Sequence, residues 1–254
     1  MLEIRNFSTG YPGNPVLSEI SLSIPGSAIT VIVGSNGCGK STLLKALAGI
    51  LPASGSVTLD GRDLLALTGR ERAKKVAFLP QNRAVPEITV KNLVLHGRFP
   101  YLSYPRRYRA EDHRIAEEAL AAMGISELAG RSLTMLSGGQ RQKAYIAMAL
   151  AQDTPVVLLD EPNTYLDIAH QLQLMEYARV LAKAGKTVVL VLHDLPMALS
   201  CADSLAVLSE GKLLLQGSPE EVFLSGCLEE AFGVDVRRVQ TPAGWKYYCQ
   251  RKQI

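Results

Sequence analysis

A mixed α/β core with a helical insertion is the fold class this sequence predicts, on three observations. Continuous apolar runs at Ile29 to Val33, Val156 to Leu159 and Val188 to Leu192 read as strands buried on both faces of a parallel sheet. Helical patterns and turn signals separate these runs, as crossover connections require. Between residues 86 and 152 the strand pattern gives way to an almost wholly helical stretch. A single core with an insertion accounts for this order, and two independent domains do not.

The elements follow in chain order. Residues 1–33 are read as strands, because Ile20, Leu22 and Ile24 alternate with serines before the buried run begins. A glycine-rich loop then leads into a short helix over Ser41–Ala48, stopped at Gly49. Ser56–Asp60 is a strand with Asp60-Gly61 as its turn, and Thr68 with Glu71 forms a T-x-x-E capping box for a helix running into Lys75. Val76–Leu79 is a short strand that ends at Pro80-Gln81. Thr89 caps a helix, Ala110–Met123 is amphipathic and closes at Gly124, and a further helix runs from about Gly139 to Gln152. A helix ending at Gly185 separates the last two buried strands, and Glu210-Gly211 signals a hairpin. Ser218-Pro219-Glu220-Glu221 opens a C-terminal helix. Val234 to Gln250 reads as a small hairpin with Trp245, Tyr247 and Cys249 on one face.

Composition narrows the function classes. The chain has 254 residues, and 27 Lys+Arg against 24 Asp+Glu give a net charge of +3, too small to argue for nucleic acid. Only 20% of residues are charged against an ordinary ~25%. Even so, no apolar run approaches the ~18 residues of a spanning helix. The charged start, Met1 to Arg5, is read as carrying no export signal, and the four scattered cysteines are expected to be reduced thiols of a cytosolic protein. Arg106-Arg107-Tyr108-Arg109 is a local basic cluster.

The strongest motif is Gly34-Ser35-Asn36-Gly37-Cys38-Gly39-Lys40-Ser41-Thr42, a G-x-x-x-x-G-K-S loop between a buried strand and a helix. Its glycines let backbone N–H groups turn inward around phosphates, and the helix N-terminus adds partial positive charge. Lys40 is placed to reach the β- and γ-phosphates and Ser41 to offer a hydroxyl to Mg²⁺. Cys38 reads either as a reactive thiol beside a helix N-terminus or as a small loop residue. In Val156 to Glu161 an apolar strand delivers two carboxylates to its C-terminal end, where open parallel sheets hold ligands. Asp160 then suits Mg²⁺ and Glu161 an attacking water. Leu136-Ser137-Gly138-Gly139-Gln140 opens a helix and makes a second phosphate-sized anion site, one more than a single nucleotide needs.

With these motifs present in this order, residues 1–235 resemble the ATP-binding subunit of ABC transporters. The resemblance implies a P-loop NTPase of the ABC type: a nucleotide-binding core over 1–85 and 153–235 that includes an antiparallel β subdomain, a helical subdomain over 86–152, and a C-terminal extension over 236–254. It assigns Tyr11 to adenine stacking, Gln81 to Mg²⁺ and to sensing the membrane partner, and Asp167 to crossing a dimer interface. His193, which ends the Val188–Leu192 strand, is assigned to the γ-phosphate. Two subunits then meet head to tail, with ATP and Mg²⁺ between the loop of one and Ser137, Gly138, Gly139 and Gln140 of the other. One copy of each motif implies a homodimer. The catalytic set under this reading is Glu161, His193, Gln81 and Lys40, and Ser41, Gln81 and Asp160 bind the metal.

Gly97-Arg98-Phe99-Pro100-Tyr101 and Thr164 to Gln171 are similar to the branch importing iron–siderophore, haem and cobalamin. That branch implies a separate membrane permease, a substrate-binding protein, and a peripheral position on the cytoplasmic face of the inner membrane. Leu93, Phe99, Tyr101, Leu102 and Tyr104 are the expected permease anchors. Asn163, Lys143 and Leu195-Pro196 depart from the branch's commonest form. An importer for another metal species such as molybdate and an exporter subunit are the nearer alternatives. Soluble cassettes acting on ribosomes or DNA usually carry two cassettes or coiled-coil insertions, neither of which is read here.

Overall fold

The computed structural model describes residues 1–251 other than Asn82, Tyr165 and Ala243, so Tyr165 of the segment quoted above lies outside the described residues. β1 (Leu2–Tyr11) and β2 (Asn14–Ile24) pair as an antiparallel hairpin, and β3 (Ile29–Gly34) is the first buried strand. After α1 (Lys40–Leu47) come β4 (Ala53–Leu59) and the two-residue β5 (Arg62–Asp63), which complete an antiparallel sheet in the order β2-β1-β4-β5. β4 starts three residues earlier than its apolar pattern indicates. Past a register shift its first residues still pair with Ser8 and Thr9 of β1, and Gly55 sits at φ 98° where an added Cβ would meet the Asn6 carbonyl at 2.3 Å.

Next come α2 (Gly69–Ala73), with the expected Thr68/Glu71 capping box, and β6 (Val76–Leu79). The helical stretch holds α3 (Val90–His96), α4 (Ala110–Ala122) and α5 (Gly138–Ala151). The pattern then alternates: β7 (Val156–Asp160), α6 (Ile168–Lys183), β8 (Thr187–Val191), α7 (Leu195–Cys201), β9 (Ser204–Ser209) and β10 (Lys212–Gly217). The single C-terminal helix expected after Ser218 is two, α8 (Pro219–Leu224) and α9 (Cys227–Phe232), broken where Gly226 takes a left-handed φ of 74°. β11 (Val234–Thr241) and β12 (Gly244–Arg251) form the final hairpin.

The central sheet has the order β10-β9-β3-β8-β7-β6, parallel throughout except for β10 at one edge. Its apolar runs divide by the two-residue period of a strand. Val31, Val157, Leu190 and Val207 face the helices α3 to α7, while Ile32, Leu158, Val189 and Ala206 face α1 and the antiparallel sheet. Both faces are therefore covered, which is why these segments contain no polar alternation. The register also brings the C-terminal ends of four adjacent parallel strands level: Leu79 pairs with Leu159, Asp160 with Val191, and Val191 with Ile32. Whatever follows those strands shares one edge of the sheet.

Candidate functional site

Four loops leave that edge, and each carries a residue singled out above. The loop after β3 wraps from Gly34 to Gly39 before α1 begins at Lys40. It needs two of its glycines for distinct reasons. An added Cβ at Gly34 would stand 2.2 Å from the Leu208 carbonyl oxygen, and Gly39 holds φ 105° against Leu17. Lys40 is buried, with Nζ donating to the carbonyls of Gly34 at 2.8 Å and Ser35 at 2.9 Å. Two of its three N–H groups thus hold the ammonium over the mouth of its own loop.

Ser41 Oγ donates to Asp160 Oδ1 at 3.0 Å, joining the start of α1 to the end of β7. Asp160 is almost fully buried, and burial is the main reason its carboxyl is pushed above the ordinary aspartate range; the neighbouring Glu161 adds to the shift. Glu161 is also buried and takes a left-handed φ of 48°. For a residue with a Cβ that conformation costs about 1–2 kcal/mol. From this backbone its carboxylate reaches two neighbours: Oε2 accepts from the Gln81 amide and Oε1 meets His193 Nε2. Gln81 follows β6 and His193 follows β8, so the strands on both sides of β7 supply the groups that orient Glu161.

These residues line one cleft of about 360 Å³. Asn36, Gly37 and Gly39 to Thr42 form one wall, and Gln81, Glu161 and His193 the other. Ser41 Oγ and Asp160 Oδ1, 3.0 Å apart, are hard oxygen donors of the kind a small divalent cation such as Mg²⁺ takes, and the Gln81 amide lines the same cleft as Ser41. The remaining sequence candidates are placed differently. Cys38 turns away from the cleft into the core beneath the antiparallel sheet, 3% exposed, which favours the small-residue reading over a reactive thiol. Tyr11 does not line the cleft; it lies exposed on the outer side of α1, where Lys45 Nζ donates to its hydroxyl at 3.3 Å.

Ser137, Gly138, Gly139, Gln140 and Asp167 are not part of the cleft lining, although Gly138 lines a neighbouring pocket with Gln81; Ser137, Gly138 and Asp167 are exposed, and Gly139 and Gln140 half-buried. Ser137 caps α5, accepting from Gln140 N at 3.3 Å, while Gln140 Oε1 accepts from Ser137 N at 3.2 Å. That S-x-x-Q capping box was legible in the sequence but not recognised as one. Asp167 caps α6 through His170 N at 2.9 Å, and His170 Nδ1 stands 2.8 Å from the same carboxylate. Backbone and side-chain hydrogen bonds from His170 hold that carboxyl below the usual range. Large apolar side chains next to these residues in sequence stay exposed, Met135 at 80% and Ile168 at 77%.

Among the expected anchors the structure separates two groups. Leu93 and Leu102 are buried, and Tyr101 donates its hydroxyl to the Gln152 carbonyl at 2.9 Å, so these three serve internal packing. Phe99 and Tyr104 remain exposed. Sequence reasoning missed Arg83, Gln142 and Tyr145, which surround the Gln81 loop. Nothing local in the sequence marks these three as partners, because Arg83 lies 59 positions from Gln142 and Ala84 61 from Tyr145.

Residues 17–164 match the profile of a family described as ABC transporter. Among curated proteins, the probable siderophore transport system ATP-binding protein of Bacillus subtilis (strain 168) is 42% identical over 95% of this chain and 89% of its own length. The ferric enterobactin transport ATP-binding protein of Escherichia coli (strain K12) is 42% identical over 94% and 89%. The hemin import ATP-binding protein of Nocardia farcinica (strain IFM 10152) is 39% identical over 91% and 80%. Among solved structures, a chain described as from a metal-chelate type ABC transporter in an inward-facing conformation superposes with a TM-score of 0.84 at 27% identity, covering 99% of this chain and 98% of that one. A bacterial ABC transporter cassette solved as a dimer gives 0.76 at 27% identity, over 86% of this chain and 99% of that one.

Proposed function

The chain belongs to the ABC transporter family, and from that we infer that it is the ATP-hydrolysing subunit of an importer for a metal chelate of the ferric siderophore, haem or cobalamin class. The observation that carries the hydrolytic half is Glu161, strained at the end of β7 and held between Gln81 and His193 at the rim of the cleft. The import half is supported by relatives whose names specify siderophore, enterobactin or hemin transport.

In this reading the loop from Gly34 to Thr42 wraps the phosphates with backbone N–H groups, and Lys40 adds a positive charge at the γ-phosphoryl. Ser41, Asp160 and Gln81 would hold Mg²⁺, which would supply positive charge against the phosphates when bound. Glu161 orients a water and accepts its proton as the oxygen attacks the γ-phosphorus, while the bond from that phosphorus to the bridging oxygen breaks and ADP leaves with the electron pair. His193 holds that carboxylate in place and reads the γ-phosphate. Tyr11, exposed next to α1, stacks on adenine.

A second copy of the chain completes each site with Ser137 to Gln140 and Asp167. The exposed Met135 and Ile168 give that contact an apolar component. No described helix is long and apolar enough to cross a membrane, so the transmembrane path is assigned to a separate permease served by a substrate-binding protein. Phe99 and Tyr104 are the exposed aromatics offered to that permease. The subunit then works peripherally, on the cytoplasmic face of the inner membrane.

The test is purification with the cognate permease and binding protein in proteoliposomes. ATP turnover should rise with a ferric siderophore, haem or cobalamin; stimulation by none of them rejects the chelate assignment and leaves the ATPase assignment standing. Separately, Glu161→Gln should bind ATP and barely turn it over, and near-normal turnover would reject Glu161 as the base.

A further inference from the structure

Gln142 is a neutral side chain on the second turn of α5, 5% exposed, and the cleft does not include it. Both ends of its carboxamide bond to other segments. Nε2 donates to the carbonyl of Pro162, the residue after Glu161, and Oε1 accepts from Arg83 NH2 at 2.6 Å, two residues after Gln81. The amide orientation is unambiguous, because a carbonyl can only accept and a guanidinium can only donate. One helical turn further, Tyr145 donates its hydroxyl to the Ala84 carbonyl, and the Arg83 guanidinium lies 4.6 Å from the Tyr145 ring. Residues spaced i, i+3 on one helix face thus grip both the loop after β6 and the turn after β7.

We propose that Gln142 is a positioning residue for Glu161, tying the angle of its carboxylate to the seating of α5 and the Gln81 loop. The inference rests on Glu161 being the base. Pro162 is buried, so its carbonyl has to find a donor inside the protein, and Gln142 supplies it. The left-handed Glu161 conformation is a strained one that the surroundings must impose, and the anchored carbonyl immediately after it is one such constraint. Because α5 also begins at Ser137, a small rotation of this helix carries Gln142 with it. The Glu161 carboxylate and the Ser137 to Gln140 segment are then set by one rigid body. Misplacing a reacting group by about 1 Å can cost on the order of a hundredfold in rate.

The experiment measures ATP turnover, nucleotide affinity and thermal midpoint for Gln142→Leu and Gln142→Glu in the full chain. Leucine removes both hydrogen bonds at similar volume; glutamate keeps the acceptor for Arg83 but sets a carboxylate oxygen against the Pro162 carbonyl. Both should lose about tenfold or more in kcat with ATP affinity within about twofold. Arg83→Leu, which leaves the Pro162 bond in place, should lose less and remains informative if neither Gln142 variant folds. Gln152→Leu, at the C-terminal cap of the same helix, removes two amide hydrogen bonds, to the carbonyls of Ala73 and Val76. It should lower the midpoint while leaving kcat within twofold, so the two effects are separable. Combined with Glu161→Gln, Gln142→Leu should add no further loss, because both act on one carboxylate. Turnover of Gln142→Leu within twofold of wild type, or a loss no greater than that of Gln152→Leu, overturns the inference. If Glu161→Gln itself keeps its turnover, the base assignment has failed instead.

Discussion

The hydroxyl of Ser41 donates to Asp160 Oδ1 across 3.0 Å, although 119 residues of chain separate the two. The bond closes the base of the phosphate cleft and joins the first turn of α1 to the end of β7. It also leaves Asp160 as a buried carboxylate beside a second one, and the Ser41 hydrogen bond together with the charges of Lys45 and Lys40 only partly offsets the loss of water.

Asp160→Asn should therefore stabilise the nucleotide-free protein while abolishing Mg²⁺-dependent turnover. Asparagine can still accept from Ser41 but carries no charge to desolvate. A folded-state value raised by burial means that wild-type stability falls as pH rises from the ordinary aspartate value, ~3.9, through the raised one. The advantage of the variant should thus be full at pH 7, a rise of a few °C in thermal midpoint, and should shrink on acidification. An unchanged or lower midpoint at pH 7 would contradict the account of the buried carboxylate.

Lys40→Met should lose most ATP affinity while keeping the fold. The Lys40 ammonium donates to the Gly34 and Ser35 carbonyls. Methionine fills similar volume with no donor, so the loop carbonyls lose a partner at a cost of about 1 kcal/mol. Equilibrium binding of a fluorescent ATP analogue and circular dichroism read the two effects separately.

Asp112→Ala should be the most destabilising of these substitutions. Asp112 and Arg98 form an ion pair with both side chains only 8% exposed, and Arg98 also donates to the Ala151 carbonyl at 2.9 Å. Removing one partner leaves a buried guanidinium uncompensated, a loss of about 3–5 kcal/mol. Urea denaturation measures it. The exposed pair of Lys91 with Glu117 is the control, and Glu117→Ala should cost less than about 1 kcal/mol.

Ser137→Ala should show two independent deficits. Loss of the cap on α5 should cost about 1 kcal/mol by denaturant titration. Turnover should fall further than that, because in the proposed dimer the same hydroxyl meets the γ-phosphate of a second subunit's nucleotide. Ser218→Ala, which removes a comparable cap from α8 away from the cleft, should reproduce the stability loss and not the rate loss.

Local chemistry wrote much of this molecule into the sequence. The capping boxes at Thr68 and Ser218, the Glu210-Gly211 hairpin and the buried strands emerge where the residues indicate, because caps, turns and two-residue periods are decided within a few positions. The loop from Gly34 to Thr42 was legible as a unit for the same reason: its glycines, lysine and serine are contiguous, and most of them line one cleft. Exposure was not legible. Leu93 and Leu102 share the composition of a docking patch with Phe99, yet only Phe99 and Tyr104 stay at the surface, since helix packing decides which face is covered.

The sequence by itself determined which residues are proposed to hold phosphate, metal and a reactive water, since that reading rests on side-chain chemistry and on backbone that only glycine adopts freely. Tertiary structure decided how they meet. Glu161 gains its partners Gln81 and His193, and Gln142 reaches Pro162 and Arg83, only because the ends of β6, β7 and β8 come level and α5 packs across the loops that leave them. Hydrogen bonds between residues 20 to 80 positions apart are set by strand order and helix seating, and no local run of amino acids encodes those alone.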